Sequence, residues 1–236
     1  MADTTGILKY RAFAEHLRCR EAGLRKEAFR HLEEFLEEAA SWSTEAKRAF
    51  VRAFFAEPDA ETRRQRCSFP LLDRLLIPVV SEWRGESPDD PIPCFAFADI
   101  CTTHSGLLPR PRWLELVGEC SYETGDAYDL RNHPEYMAAR RAIELAPGVP
   151  AYRVLYLEIL TRYLGDVCHN FYSGFPDVPF PSAELEDFER QFDILPDDIA
   201  EKAHLVRKYQ VLKEDLEEYR TKRKEGERQI GHLRRT

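Results

Sequence analysis

Residues 197–229 read DDIAEKAHLVRKYQVLKEDLEEYRTKRKEGERQ, a long charged segment with a narrow apolar seam. Leu205, Tyr209, Leu212, Leu216 and Tyr219 recur in it at steps of four, three, four and three. That spacing puts them on one stripe of an α-helix, the pattern of a helix packed lengthwise against another. Leaving these side chains in water would forgo about 1.5–3 kcal/mol apiece. The sequence therefore predicts a C-terminal helical extension over 183–236, docked on the rest of the chain or on a second copy. The seam stops at Tyr219, because Arg223 and Gly226 add no apolar surface.

Upstream, apolar residues keep the same helical period. Ile7, Leu8, Tyr10, Ala14 and Leu17 mark a first helix, and Leu24, Ala28, Leu32, Phe35, Leu36 and Ala39 a second, with Gly23 between them as the turn of a hairpin. Ser43 is an N-cap for a helix through Phe50 and Phe54 that ends at Pro58 and Asp59. A further helix spans Phe69 to Trp83, kinked at Pro78. Arg84 to Pro93, with three prolines and a glycine, reads as a loop between two lobes of a body over 1–182. Beyond it come helices over Cys94 to His104, Pro109 to Cys120, Pro134 to Leu145 and Ala151 to Leu164, the last ended by Gly165. A proline-rich strap, Asn170 to Ser182, follows, then a short helix, Glu184 to Phe192. Asp198, three residues before Glu201, gives the last helix a capping-box-like start. No stretch alternates as a strand does, so the expected fold is all-α, an irregular array of helical hairpins with a long charged C-terminal helix.

Composition bounds the partners. A 43% hydrophobic, 32% charged chain has the material for a packed core. Its net charge of −8 argues against a protein-wide nucleic-acid footprint. The charge is uneven: residues 220–236 carry seven cations against two acids, +5, which leaves −13 on the remainder. A charge block of this kind is an interaction arm or a solvated helix end. No apolar run is long enough to span a bilayer and no secretory leader is recognisable, so the expected location is cytoplasmic. The six dispersed cysteines read as reduced, buried thiols.

Residues 138–166 (AARRAIELAPGVPAYRVLYLEILTRYLGD) resemble the junction between two tetratricopeptide repeats, with Ala142, Pro147, Tyr156, Leu160 and Gly165 in suitable places. Arg153 departs from it where an aromatic is usual, and Leu157 where a small residue is usual. No 34-residue recurrence extends through the chain. The resemblance implies a concave groove that binds a peptide or partner helix. Arg153, Tyr156 and Leu160 would line it, with Arg131 and His133 nearby.

Chemical signatures are sparse. There is no Walker loop, dinucleotide fingerprint, Gly-x-Ser-x-Gly or His-Glu-x-x-His. Cys94, Cys101, His104 and Cys120 have zinc-ligand chemistry but lack the close pairing of structural zinc sites, and read as buried thiols. Glu201 and His204 make one Glu-x-x-His pair where a di-iron bundle needs two. Cys168 beside His169 lacks the geometry of a nucleophile and its base. The alternative expectation is an enzyme whose pocket is lined by His104, Arg110, Arg112, Asp126, Asp129, Arg131 and His133 around Trp113, Tyr122 and Tyr128. The leading expectation is a non-enzymatic protein-binding or scaffold protein, with neither cofactor nor metal. Its partner is a protein or peptide, or a second copy through Leu205, Tyr209, Leu212, Leu216 and Tyr219. A helical immunity or antitoxin-type inhibitor of a basic partner is a narrower form of the same idea.

Overall fold

The computed structural model describes residues 5–117, 129–172 and 180–233. Among them there are helices and no strand, so the chain is all-α. It divides into two compact units: Met1–Gly118 with Arg141–Ala146, and Glu119–Arg140 with Pro147–Thr236. The division does not fall at 84–93, since the helices on either side of that stretch share the first unit.

In the first unit, α1 (Thr5–Leu8), α2 (Arg11–Glu21), α3 (Arg25–Ala40) and α4 (Thr44–Phe55) gather around an aromatic centre. Phe13, Phe35 and Phe50 have no solvent exposure, and their ring centroids lie 5.0–5.3 Å apart. Tyr10 and Trp42 close the cluster at 4.9 Å. The α2–α3 turn follows from Gly23, whose φ of 73° is a left-handed conformation that a β-carbon disfavours. Leu24 N–H reaches back to Cys19 O and Gly23 N–H to Arg20 O, a Schellman closure of α2. The buried His16 Nδ1 bonds Ala28 O at 2.8 Å and ties the hairpin across its width.

Ser43 caps α4 by accepting from Ala46 N–H. Asp59, expected to end that helix, instead starts α5 (Ala60–Arg66), accepting from Glu61 and Thr62 N–H. The helix expected over Phe69 to Trp83 is three segments: α6 (Phe69–Leu71), a π-helical turn (Leu72–Leu76) and α7 (Ile77–Glu86). Pro78 cannot donate, and its ring crowds the carbonyl four residues back, so the preceding turn widens and the helix continues. The loop expected over 84–93 shrinks to 87–90, because Pro91 takes the first position of α8 (Pro91–Thr103), where no donor is needed, and Asp90 caps it through Ile92 N–H. A 3-10 turn (Ser105–Leu107) and α9 (Arg110–Val117) follow.

A second 3-10 turn (Leu130–Asn132) leads to α10 (Pro134–Leu145), whose last residues belong to the first unit. The second unit is built on α11 (Pro150–Tyr172), α12 (Ser182–Ile194) and α13 (Ala200–Leu233). Gly165, expected to end α11, lies inside it, so the helix runs on to Tyr172. Phe188 stacks on Tyr209 at 4.6 Å, Phe180 meets Tyr219 at 5.4 Å and Lys202 reaches Leu195 O, which makes α12 and α13 antiparallel. Tyr156 bonds Asp187, and the Cys168 thiol feels Asp215, so α13 runs parallel to α11. Of the strap expected over 170–182, residues 170–172 belong to α11, Ser182 opens α12 and 173–179 lie outside the described residues; the last helix begins at Ala200. No described helix is long and apolar enough to cross a membrane.

Candidate functional site

Helix α8 is apolar on all sides, with every residue from Pro93 to Cys101 buried, and so its one acid, Asp99, must find its partners inside. Arg63 of α5 supplies a bidentate pair, Nη2 to Oδ1 at 2.8 Å and Nε to Oδ2 at 3.1 Å. Thr103 donates to Oδ1 at 2.9 Å, and His104 Nε2 stands 3.4 Å from Oδ2. The remaining guanidinium nitrogen of Arg63 donates to Glu57 O at 2.5 Å and Pro58 O at 3.0 Å. Burial pushes the Asp99 carboxyl up, but the His104 contact and the Arg63 charge and bonds outweigh it and hold it down to about 2. A carboxylate that weakly basic, with its lone pairs engaged, is a clasp between α5 and α8 and a poor general base.

Beside this clasp lies a cleft of about 530 Å³ lined by Arg20, Arg64, Gln65, Thr102, Thr103 and Ser105, among others. Thr103 belongs both to its wall and to the Asp99 network. Arg20 is tied to Cys67 O at 2.8 Å, and Arg64 pairs with Glu61 at 3.1 Å. The cleft can hold a small polar molecule. It brings no nucleophile and base together.

The residues singled out as an enzymatic cluster divide between the two units. His104, Arg110 and Arg112 belong to the first unit; Asp129, Arg131 and His133 belong to the second. Tyr122, Asp126 and Tyr128 lie outside the described residues. His104 is fully buried against Asp99, and Arg112 is engaged by Asp73 and Glu115 at 2.9 and 2.6 Å. Cys94 and Cys101 are buried, and Cys120 lies outside the described residues. Burial raises the Cys94 thiol and pushes Cys168 up to about 11, while its neighbour His169 is exposed.

The expected groove residues separate into surface and core. Arg131 is exposed and clamps Asp129 at 2.6 Å, and half-buried His133 faces Glu135 at 3.4 Å and Tyr163. Arg153 is buried, donates to Pro147 O at 3.3 Å and is lowered by that burial. Tyr156 bonds the Asp187 carboxylate and stands 3.0 Å from the Tyr136 hydroxyl; burial first, then these two contacts, raise its pKa. Leu160 is wholly inside. Tyr156 and Leu160 are therefore core residues of the second unit and line no accessible groove. The same holds for Leu205, Leu212, Leu216 and Tyr219, all at most 5% exposed, while Tyr209 is half-buried against Phe188. A helical repeat marks a face that must be covered without naming its cover, and here α11 and α12 supply it.

Residues missed by the sequence reading include the Arg63–Asp99 clasp. The signal available was an acid alone in the run PIPCFAFADIC, where a helix with no polar face must bury it. No protein-family model, no curated protein and no solved structure matches this chain.

Proposed function

We propose that this protein is a non-catalytic binding protein whose docking element is the distal part of α13, and that it recognises an acidic protein surface. One observation carries the reading: α13 outruns the helices that cover it. Cys168 is level with Asp215 and Tyr219, so α11, ending at Tyr172, runs out close to Arg223. Phe180, just before α12, is already level with Tyr219. The α13 backbone continues to Leu233, and fourteen residues at 1.5 Å each make about 21 Å beyond Tyr219. Residues 220–236, which include that length, carry +5 in a chain whose remainder carries −13.

The interior gives this reading further support, since Asp99, His104, Tyr156 and Cys168 are taken up by the fold and not directed at a substrate. Electrostatic complementarity would set the on-rate and the choice of partner more than the raw affinity. The test is quantitative capture from a lysate at two salt concentrations with the wild-type chain and with a variant carrying Lys224→Glu, Arg228→Glu, Arg234→Glu and Arg235→Glu. An acidic protein enriched by the wild type, released by salt and lost with the variant is the expected result. An identical captured set for both chains overturns the proposal.

A further inference from the structure

The α2–α3 hairpin gathers a set of metal-binding atoms. Glu15 and Cys19 are one turn apart on α2, and His31 answers from α3. One ligand atom from each lies within 4.8 Å of the others. The frame is well fixed: the Gly23 closure sets the hairpin, the His16 to Ala28 bond ties its strands of chain together, and Cys19 itself is buried.

Two further features point to a cation. His31 Nδ1 lies 3.0 Å from Glu34 Oε2, the carboxylate-to-imidazole contact that fixes the tautomer of a metal-bound histidine and leaves Nε2 as a donor. Each candidate ligand atom is also already met by positive charge. Arg18 Nε donates to Glu15 Oε2 at 2.8 Å, its Nη2 stands 3.9 Å from Cys19 Sγ, and Arg30 Nη2 is 3.0 Å from His31 Nε2. Both arginine side chains are more than half exposed, so their heads can leave into water without breaking the core.

We infer that Glu15, Cys19 and His31 bind a zinc-class transition-metal cation, with a water as fourth ligand, and that Arg18 and Arg30 occupy the donors when it is absent. Thiolate, imidazole and carboxylate together suit Zn²⁺ and disfavour Ca²⁺ and Mg²⁺, which take oxygen ligands. Tetrahedral zinc bonds of 2.0–2.3 Å require donors about 3.6 Å apart. The donor atoms need to close by little more than about 1 Å, within the reach of side-chain rotation. Binding takes the proton from Cys19 to solvent as the Zn–S bond forms, leaving a site with no net charge. The alternative, a thiol nucleophile activated by His31 and Glu34, is poorly served by a cysteine that is 2% exposed.

The test uses the full chain, reduced and stripped of metal, titrated with Co²⁺ and then Zn²⁺. The expected result is a thiolate-to-cobalt absorption band with tetrahedral d–d bands, saturating at one equivalent and abolished by Zn²⁺. Cys19→Ser and His31→Ala remove it, Cys94→Ser and Cys168→Ser keep it, and Glu34→Gln weakens Zn²⁺ binding by about tenfold to a hundredfold. Arg18→Ala with Arg30→Ala binds at least as tightly as wild type, since it removes the competing cations, and this variant leaves the buried packing alone. Absence of a thiolate band at one equivalent, its survival in Cys19→Ser, or loss of binding in the double arginine variant overturns the assignment.

Discussion

Replacing Asp99 by asparagine keeps the shape of the side chain and removes the negative charge that faces Arg63. Both groups are essentially out of water, with Asp99 at 0% and Arg63 at 3% exposure. Breaking a buried ion pair from one side strands the other charge and costs about 3–5 kcal/mol, whereas replacing both members by apolar residues of similar volume is often neutral. Arg63→Met with Asp99→Leu therefore loses less than either single change. It still forfeits the Arg63 bonds to Glu57 O and Pro58 O, about 1 kcal/mol each. The assay is urea unfolding followed by tryptophan fluorescence, because Trp42, Trp83 and Trp113 all lie in the first unit and report on it alone. The pH dependence gives a second reading. The folded carboxyl is depressed to about 2 from an ordinary 3.8, so its contribution is complete above about 4 and is lost as pH falls from there toward 2. The double variant lacks that loss. A cost below about 1 kcal/mol for Asp99→Asn, or a double variant as unstable as the two single changes summed, would refute the clasp.

Other outcomes follow from single residues. Gly165→Ala, in the interior of α11 with nothing within 4 Å of the new methyl, stabilises the second unit by about 0.5–1 kcal/mol, and a lower melting temperature would contradict it. Gly23→Ala does the opposite by about 1–2 kcal/mol, since a β-carbon is forced to a φ of 73°; unchanged urea midpoints would count against the Schellman turn. Burial lowers His16 below 6.5 against the opposing pull of its bond to Ala28 O. The unfolded chain then binds more protons, so stability is full above 6.5 and declines as pH drops below it. His16→Gln should flatten that decline, and an unaltered slope would mean that another group causes it.

Much of the fold is legible in the sequence because helices here obey local rules: the apolar period of α3, the Ser43 cap and Pro134 at the head of α10 each declare themselves within a few residues. The errors arise where one residue type has two meanings. Pro91 and Pro93 break a helix interior but fit a first turn, so a loop was expected where α8 begins. Gly165 marks a helix end or, as here, a helix position that needs no side chain. The sites are less legible than the fold. Arg63 and Asp99 are 36 residues apart, and Glu15, Cys19 and His31 share a hairpin face only once Gly23 has turned the chain. The seam of α13 was visible, but whether it would be covered by α11 and α12 or by a partner depends on packing that no local pattern encodes.

The central claim, that the distal part of α13 is the docking element, is tested most directly by hydrogen exchange on the captured complex against the isolated chain. In the isolated chain Tyr209 to Leu216 should be strongly protected, and amides after Gly226 should exchange fast. In the complex new protection should appear over residues 220–233 and nowhere in the first unit. Protection that appears instead around Thr102 to Leu107, or none over 220–233 while the partner remains bound, would contradict the account.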